Sequence, residues 1–346
     1  MVERMTIFRH IAGIFLALLL ATFAAPALAG PAISSTSYVP LGGIEQWISI
    51  TGDDRDNPVL LVVHGGPGDV QWPEADNYKP WEKSFTVVQW DQRGAGHTYG
   101  RIGEGTPEVN LNRIARDGVE LADYLCRTLG KKKIIVLGHS WGSLVAVTMV
   151  RLKPALFAAY VGTGQVVSWK TTANIQYDLL LAKARRDGDT AWLEQFAAHG
   201  KPDFNDPKQF FAATRNLRSL MAPADQAWIQ SLRDGFPALV SQNPKDAQDL
   251  NDGQLFSGKH LIADEVATNL PVTAPRIDTA YILIQGRDDI VSPAKAAVAY
   301  FQKVKAPKKT LVLIPHAGHF AFMTAPDAFL AALTAKVRPI AMARGA

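Results

Sequence analysis

Gly138-His139-Ser140-Trp141-Gly142 follows the apolar run 134–137 and leads into a second apolar stretch, 144–152. Between a strand and a helix, G-x-S-x-G sets a serine on a sharp, strained turn with its hydroxyl exposed. The two glycines are needed because a side chain at either position would collide with the adjacent strand or helix. The plainer alternative is a serine that only caps the helix N-terminus. A neutral serine is a weak nucleophile, so acyl transfer needs a base, and the base needs a carboxylate to orient it. In this setting the chain order should be serine, acid, histidine, the last two on loops after late strands. The run 281–285 leads into Gly286-Arg287-Asp288-Asp289, and 310–314 leads into Pro315-His316-Ala317-Gly318-His319. His319 is preferred over His316, because Gly318 gives a flexible turn and Phe320 an apolar lid. Of Asp288 and Asp289 only one can face the imidazole; Asp289 is preferred, and the residues alone leave the choice open.

Acyl transfer also needs donors for a developing oxyanion. His64-Gly65-Gly66-Pro67-Gly68 follows the apolar run Val59–Val63. It would bring exposed backbone N–H groups beside the serine turn, with Gly66 and Trp141 as the donors. Its plain alternative is a glycine-rich turn. Other chemistries lack support. Gly94-Ala95-Gly96 through Gly100 superficially suggests a dinucleotide loop, but Asp91, Gln92 and Arg93 intervene after the strand and no helix pattern opens there. There is no G-x-x-x-x-G-K-[ST] and no H-E-x-x-H, and no Cys/His spacing suits zinc, so neither a metal nor a cofactor is expected. A serine in place of an aspartate at 140 counts against reactions that need a carboxylate nucleophile.

The elements that must carry these residues follow from pattern. Short β-branched runs at Val59–Val63, Thr86–Trp90 and 134–137 alternate with helical stretches, as in a parallel sheet built from strand–helix–strand crossovers. Leu111–Leu129 reads as an amphipathic helix with Ile114, Leu121, Ala122, Leu125 and Leu129 on one face and Gly130 as its terminator. The stretch 144–152 is apolar all round, a buried helix stopped before Pro154. After a strand at 160–164 the texture changes. From 168 to 272 strand patterning is lost, helices are expected at 174–186 and 224–233, and strands resume at 281–285 and 310–314. The expected fold is one α/β core, 30–167 and 273–346, interrupted by a helical cap, 168–272. With 346 residues, 47% of them hydrophobic and 20% charged, the chain has ample material for that core.

Arg4 and Arg9 precede an apolar stretch, 11–25, and Ala27-Leu28-Ala29 follows, the signature of a secretory signal peptide over 1–29 with cleavage after Ala29. The apolar stretch falls short of the ~20 residues that span a bilayer, so a soluble protein outside the cytoplasm, secreted or periplasmic, is expected and no membrane association. A net charge of +4, from 36 basic against 32 acidic residues, is too mild for a nucleic-acid partner, and Lys131-Lys132-Lys133 reads as a solvated turn. The single cysteine, Cys126, can form no internal disulfide.

His64–Gly68 (HGGPG), Trp90–Gly96 (WDQRGAG), Gly138–Ser143 (GHSWGS) and Gly286–Asp289 (GRDD) together resemble the prolyl aminopeptidases, or proline iminopeptidases, of the α/β-hydrolase fold. The resemblance spans the core on both sides of the insertion. It implies Ser140 as nucleophile, Asp289 as acid, His319 as base, a helical cap between the two halves of the core, and Asp91 and Arg93 as turn-bracing residues. The cap departs from the family, whose members carry a W-x-x-W-E stretch and acidic residues that grip the substrate's free amine; here Trp192 and Glu194 stand in a different pattern. A protonated α-amine held in a half-buried pocket needs a carboxylate, worth ~1.5–3 kcal/mol. Glu74, Asp178 and Glu194 are the acids available for it, with solvated surface acids as their plain alternative. The expected function is a serine hydrolase that forms an acyl-enzyme and releases an N-terminal, prolyl-like residue from a small or short-peptide substrate. An esterase or amidase on small apolar substrates is the alternative, and a non-catalytic binding protein on the same fold the remote one.

Overall fold

The computed structural model describes residues 30–346 other than 201, 202, 204, 205 and 215. The expected leader, 1–29, lies outside the described residues. Eight strands form one sheet: β1 (Ile33–Leu41), β2 (Ile44–Gly52), β3 (Val59–Val63), β4 (Thr86–Trp90), β5 (Ile134–His139), β6 (Phe157–Thr163), β7 (Ala280–Gly286) and β8 (Lys309–Ile314). Their spatial order is β1-β2-β4-β3-β5-β6-β7-β8. β1, β2 and β4 pair antiparallel, and β4 through β8 pair parallel.

The central strands are continuous apolar runs because the sheet is covered on both faces. Alternate side chains divide between two cores. Leu61, Val63, Ile134, Val136, Tyr281 and Leu283 pack on one side with the helices α1 (Leu111–Leu129) and α2 (Trp141–Leu152). Leu60, Val62, Ile135, Leu137, Ile282 and Ile284 pack on the other with Trp81, Phe322 and Phe329. Each such aliphatic side chain fully withdrawn from water contributes about 1.5–3 kcal/mol. α1 starts at Asn110, whose side chain accepts from Arg113 N–H, and ends at Gly130 in the left-handed region. Both ends follow the usual capping chemistry.

Two features depart from expectation. β1 and β2 form a hairpin across Gly42-Gly43, both at positive φ, with Leu41 opposite Ile44. This two-residue turn suits glycine pairs. A helix, Gly96–Ile102, does open after the Trp90–Gly96 segment, contrary to the reading that none would.

Between β6 and β7 the described elements are helical: α3 (Trp169–Asp187), α4 (Thr190–His199), α5 (Pro207–Thr214), α6 (Pro223–Gln242), α7 (Pro244–Val266) and short turns. A bridge between Ser168 and Asn269, with Leu270 N–H donating to Val167 C=O at 2.8 Å, closes the base of this excursion. Trp169, Ala173, Tyr177, Leu180 and Ala184 give it a small core of its own. Among the described residues no helix is long and apolar enough to cross a membrane.

Candidate active site

Ser140 stands between β5 and α2 with φ 53° and ψ −124°, a conformation that costs a non-glycine residue of order 1–3 kcal/mol. Surrounding bonds hold it there. Ser140 N–H donates to Thr163 C=O at 3.1 Å, and Ser140 C=O accepts from Ser143 N–H at 2.8 Å and Ser143 Oγ at 2.6 Å. Ser143 Oγ in turn accepts from Val166 N–H and Gln165 Nε2, tying the turn to the chain leaving β6. The flanking glycines meet the steric demand expected of them. A Cβ on Gly142 would lie 2.1 Å from Val63 O, and one on Gly138 2.5 Å from Gly142 O.

His319 is buried after β8, and its Nδ1 lies 3.1 and 3.2 Å from the two carboxylate oxygens of Asp289. Asp289 is buried as well, and its oxygens also accept from Val291 N–H, Ser292 N–H and Gln285 Nε2. The neighbouring alternatives drop out: Asp288 and His316 are exposed. Burial works against a charged imidazole at 319. The Asp289 carboxylate, its hydrogen bond, and the charges of Asp225 and Asp69 outweigh it, so His319 sits above the ordinary histidine value. Among the described residues neither Ser140 Oγ nor His319 Nε2 forms a hydrogen bond, which leaves both able to meet a reacting group; such contacts commonly tighten only with substrate.

Gly66 lines the same cavity as Ser140, Trp141 opens α2 directly after it, and neither backbone N–H has a hydrogen-bond partner among the described residues. Gln92 joins the segments that carry them. Its Oε1 accepts from the Trp141 indole N–H at 3.2 Å, and its Nε2 donates to His64 C=O at 3.0 Å. His64 accepts Gln92 N–H at Nε2 and faces Gly65 C=O with Nδ1; burial pushes it down to about 4, so it stays neutral. Arg93 and Asp91 brace the same segment. Arg93 is buried against Asp117 and also donates to Gly42 and Pro107 carbonyls, while Asp91 accepts from His97. The role of Gln92 has no local signal beyond its place in the Trp90–Gly96 motif.

A cavity of about 780 Å³ opens above Ser140, lined on the core side by Gly66 and Val291 and on the cap side by Trp169, Lys259 and Glu265. Burial pushes Glu265 up to about 7 against the opposing pull of His319, and its carboxylate forms no hydrogen bond or ion pair among the described residues. The acids expected at the substrate stand elsewhere. Asp178 and Glu194 are exposed and do not line the cavity. Glu74 shares a separate space of about 30 Å³ with Asp69, His139 and Trp228, room for roughly one water and no substrate group. Glu265 was missed because nothing around Ala263-Asp264-Glu265 distinguishes it from an exposed helical acid; packing of α7 turns it inward.

A family profile described as alpha/beta hydrolase fold matches residues 58–326, most of the chain, on both sides of the helical excursion. The chain belongs to the α/β-hydrolase fold family. It is similar to a probable aminopeptidase of Bacillus subtilis, 28% identical over 312 residues, which covers 88% of this chain and 97% of the relative. It is also similar to a probable proline iminopeptidase of Streptomyces coelicolor, 26% identical over 308 residues, covering 81% of this chain and 88% of the relative. Among solved structures, a proline iminopeptidase of Mycobacterium smegmatis superposes with a TM-score of 0.61 at 20% identity, covering 89% of this chain and 99% of that one. At that identity the likeness shows the fold.

Proposed function

We propose that this α/β hydrolase is a serine hydrolase that removes an N-terminal, prolyl-like residue from short peptides through an acyl-enzyme on Ser140. The observation that carries the reading is the buried His319–Asp289 pair, with His319 packed on His139, the residue that precedes a serine held at positive φ. Ser140 Oγ attacks the carbonyl carbon of the N-terminal residue while His319 Nε2 takes its proton. The oxyanion forms between Gly66 N–H and Trp141 N–H. His319 then returns the proton to the leaving nitrogen as the C–N bond breaks, and water repeats the sequence to free the acid. Asp289 holds the Nδ1–H tautomer and stabilises the imidazolium. Among the described residues Glu265 is the carboxylate that lines the cavity from the cap, suited to the protonated α-amine. Similarity to relatives named as aminopeptidases and proline iminopeptidases supports the same substrate class.

The competing esterase reading is tested by comparing a proline arylamide with an aryl ester of a small apolar acid. Amide turnover supports the aminopeptidase reading, and ester turnover without amide turnover removes it. The basic head, apolar stretch and Ala27-Leu28-Ala29 ending support export, and N-terminal sequencing of the exported chain should begin at Gly30.

A further inference from the structure

His319 is held at three points. Asp289 fixes its ring, and His139 Nε2 lies 3.1 Å from its carbonyl oxygen. Burial, with the charges of His319 and His64, keeps His139 well below the ordinary histidine value, so that neutral ring donates through Nε2–H. Both of these holds come from the core. The third comes from the cap. Asp225, in the first turn of α6 and 1% exposed, accepts His319 N–H on Oδ2 at 2.5 Å. Its Oδ1 accepts from Phe320 N–H at 3.4 Å and Thr324 Oγ1 at 3.3 Å. A carboxylate this buried is expensive unless its acceptors are filled, and here every partner belongs to the segment that carries the base. Gly318 makes the approach possible, since a Cβ there would lie 2.1 Å from Asp225 Oδ2. An acid in the first turn also suits a helix dipole, but the dipole alone does not require a carboxylate driven into the backbone of residues 319 and 320.

We propose that Asp225 is a positioning residue through which the cap sets the base: with α6 docked, its carboxylate fixes the His319 backbone and adds a negative charge beside the imidazole. The inference rests on the assignment of His319 as base. It makes cap seating a condition of turnover, because displacement of α6 removes one of the three holds. The groups facing His319 are Asp289 after β7, Asp225 on α6, Asp69 after β3, His139 at the end of β5 and Glu265 on α7. Asp225 is among the negative charges that favour the imidazolium, so its removal lowers the pH at which the base deprotonates.

The test compares wild type with Asp225→Asn and Asp225→Ala in kcat/KM across pH and in hydrogen exchange of the peptide containing 319 and 320. Asp225→Ala should lower kcat about tenfold or more with KM changed by less than about threefold. It should move the acid limb to lower pH and speed exchange at 319 and 320. Asp225→Asn keeps an acceptor oxygen but no charge, so it should retain more of kcat yet show the same movement of the acid limb. A merely structural role would lower activity without moving that limb. If Asp225→Ala does not fold, Asp225→Asn carries the pH test. Gly318→Ala disrupts the contact from the other side, pushing the Asp225 carboxylate off the His319 backbone, and should lower kcat although the acid itself is retained. Folded Asp225 variants with wild-type kcat, an unmoved acid limb and unchanged exchange overturn the proposal and leave the base assignment standing. A folded wild type that neither turns over substrate nor reacts with a fluorophosphonate overturns the base assignment, and the proposal with it.

Discussion

Replacing Glu265 by Gln tests how the cavity selects a free amine. Glu265 is the cap acid that lines the cavity with Ser140, and it has no hydrogen-bond or ion-pair partner among the described residues. A hydrogen bond to a charged group is worth ~1.5–3 kcal/mol. Because Glu265 is only partly buried, the low end applies, about tenfold in kcat/KM. The assay sets a proline arylamide against its cyclopentanecarboxylic counterpart, which has the same ring size and leaving group but no amine. Taking the ratio cancels the titration of His319. Wild type should prefer the amine substrate by about tenfold near pH 7.5, and Glu265→Gln should abolish the preference without slowing the amine-free substrate. With its carboxyl pushed up to about 7, Glu265 is only about one-tenth ionised at pH 6, so the preference should fade as pH drops below 7. It should fade again above about 8 as the α-amine deprotonates. A preference that survives Glu265→Gln, or that stays flat between about pH 6 and 8, refutes the reasoning.

The same residue affects stability. Its folded value of about 7 lies above the ordinary glutamate value, so between those two values the native state holds a proton that the unfolded chain has lost, and stability falls as pH rises through that window. Glu265→Gln should therefore raise Tm at pH 8 and leave it nearly unchanged at pH 4, by differential scanning calorimetry. Asp289→Asn keeps the shape but cannot hold the required imidazole tautomer, and steady-state kinetics should show a loss of about 10³- to 10⁴-fold in kcat. Arg93→Ala leaves Asp117 buried without its main partner; denaturant melts should show about 3–5 kcal/mol of destabilisation.

What could be read in advance depended on whether the signal was local. β3 is a continuous apolar run and β4 a short β-branched one, both bounded by turns, and their limits follow directly from Val59–Val63 and Thr86–Trp90. Ser140 was legible because G-x-S-x-G is a backbone requirement written in adjacent residues; the loops that carry Asp289 and His319 follow their strands, but the residues alone left Asp288 and Asp289 open, and the GRDD resemblance pointed to Asp289. β1 and β2 went unrecognised although alternating polar and apolar residues flank Gly42-Gly43; the exposed edge strand β1 and its half-buried neighbour β2 lack the apolar density of the central strands. Glu265, Asp225 and Gln92 were out of reach for a different reason. Each owes its place to tertiary packing: α7 turns Glu265 into the cavity, Asp225 is 94 residues from the amide it binds, and Gln92 is 49 from the Trp141 indole. The converse error has the same origin. Asp178 and Glu194 lie in the cap as expected, but helix rotation turns them to solvent.

The central claim is that Ser140 becomes covalently acylated with His319 as its base. Intact-protein mass spectrometry after exposure to a fluorophosphonate probe tests it most directly, with peptide mapping of the adduct. One phosphonyl group on Ser140 in wild type, none in Ser140→Ala and strongly slowed labelling in His319→Ala are the expected results. A folded wild type that remains unlabelled, or an adduct on a residue other than Ser140, contradicts the account.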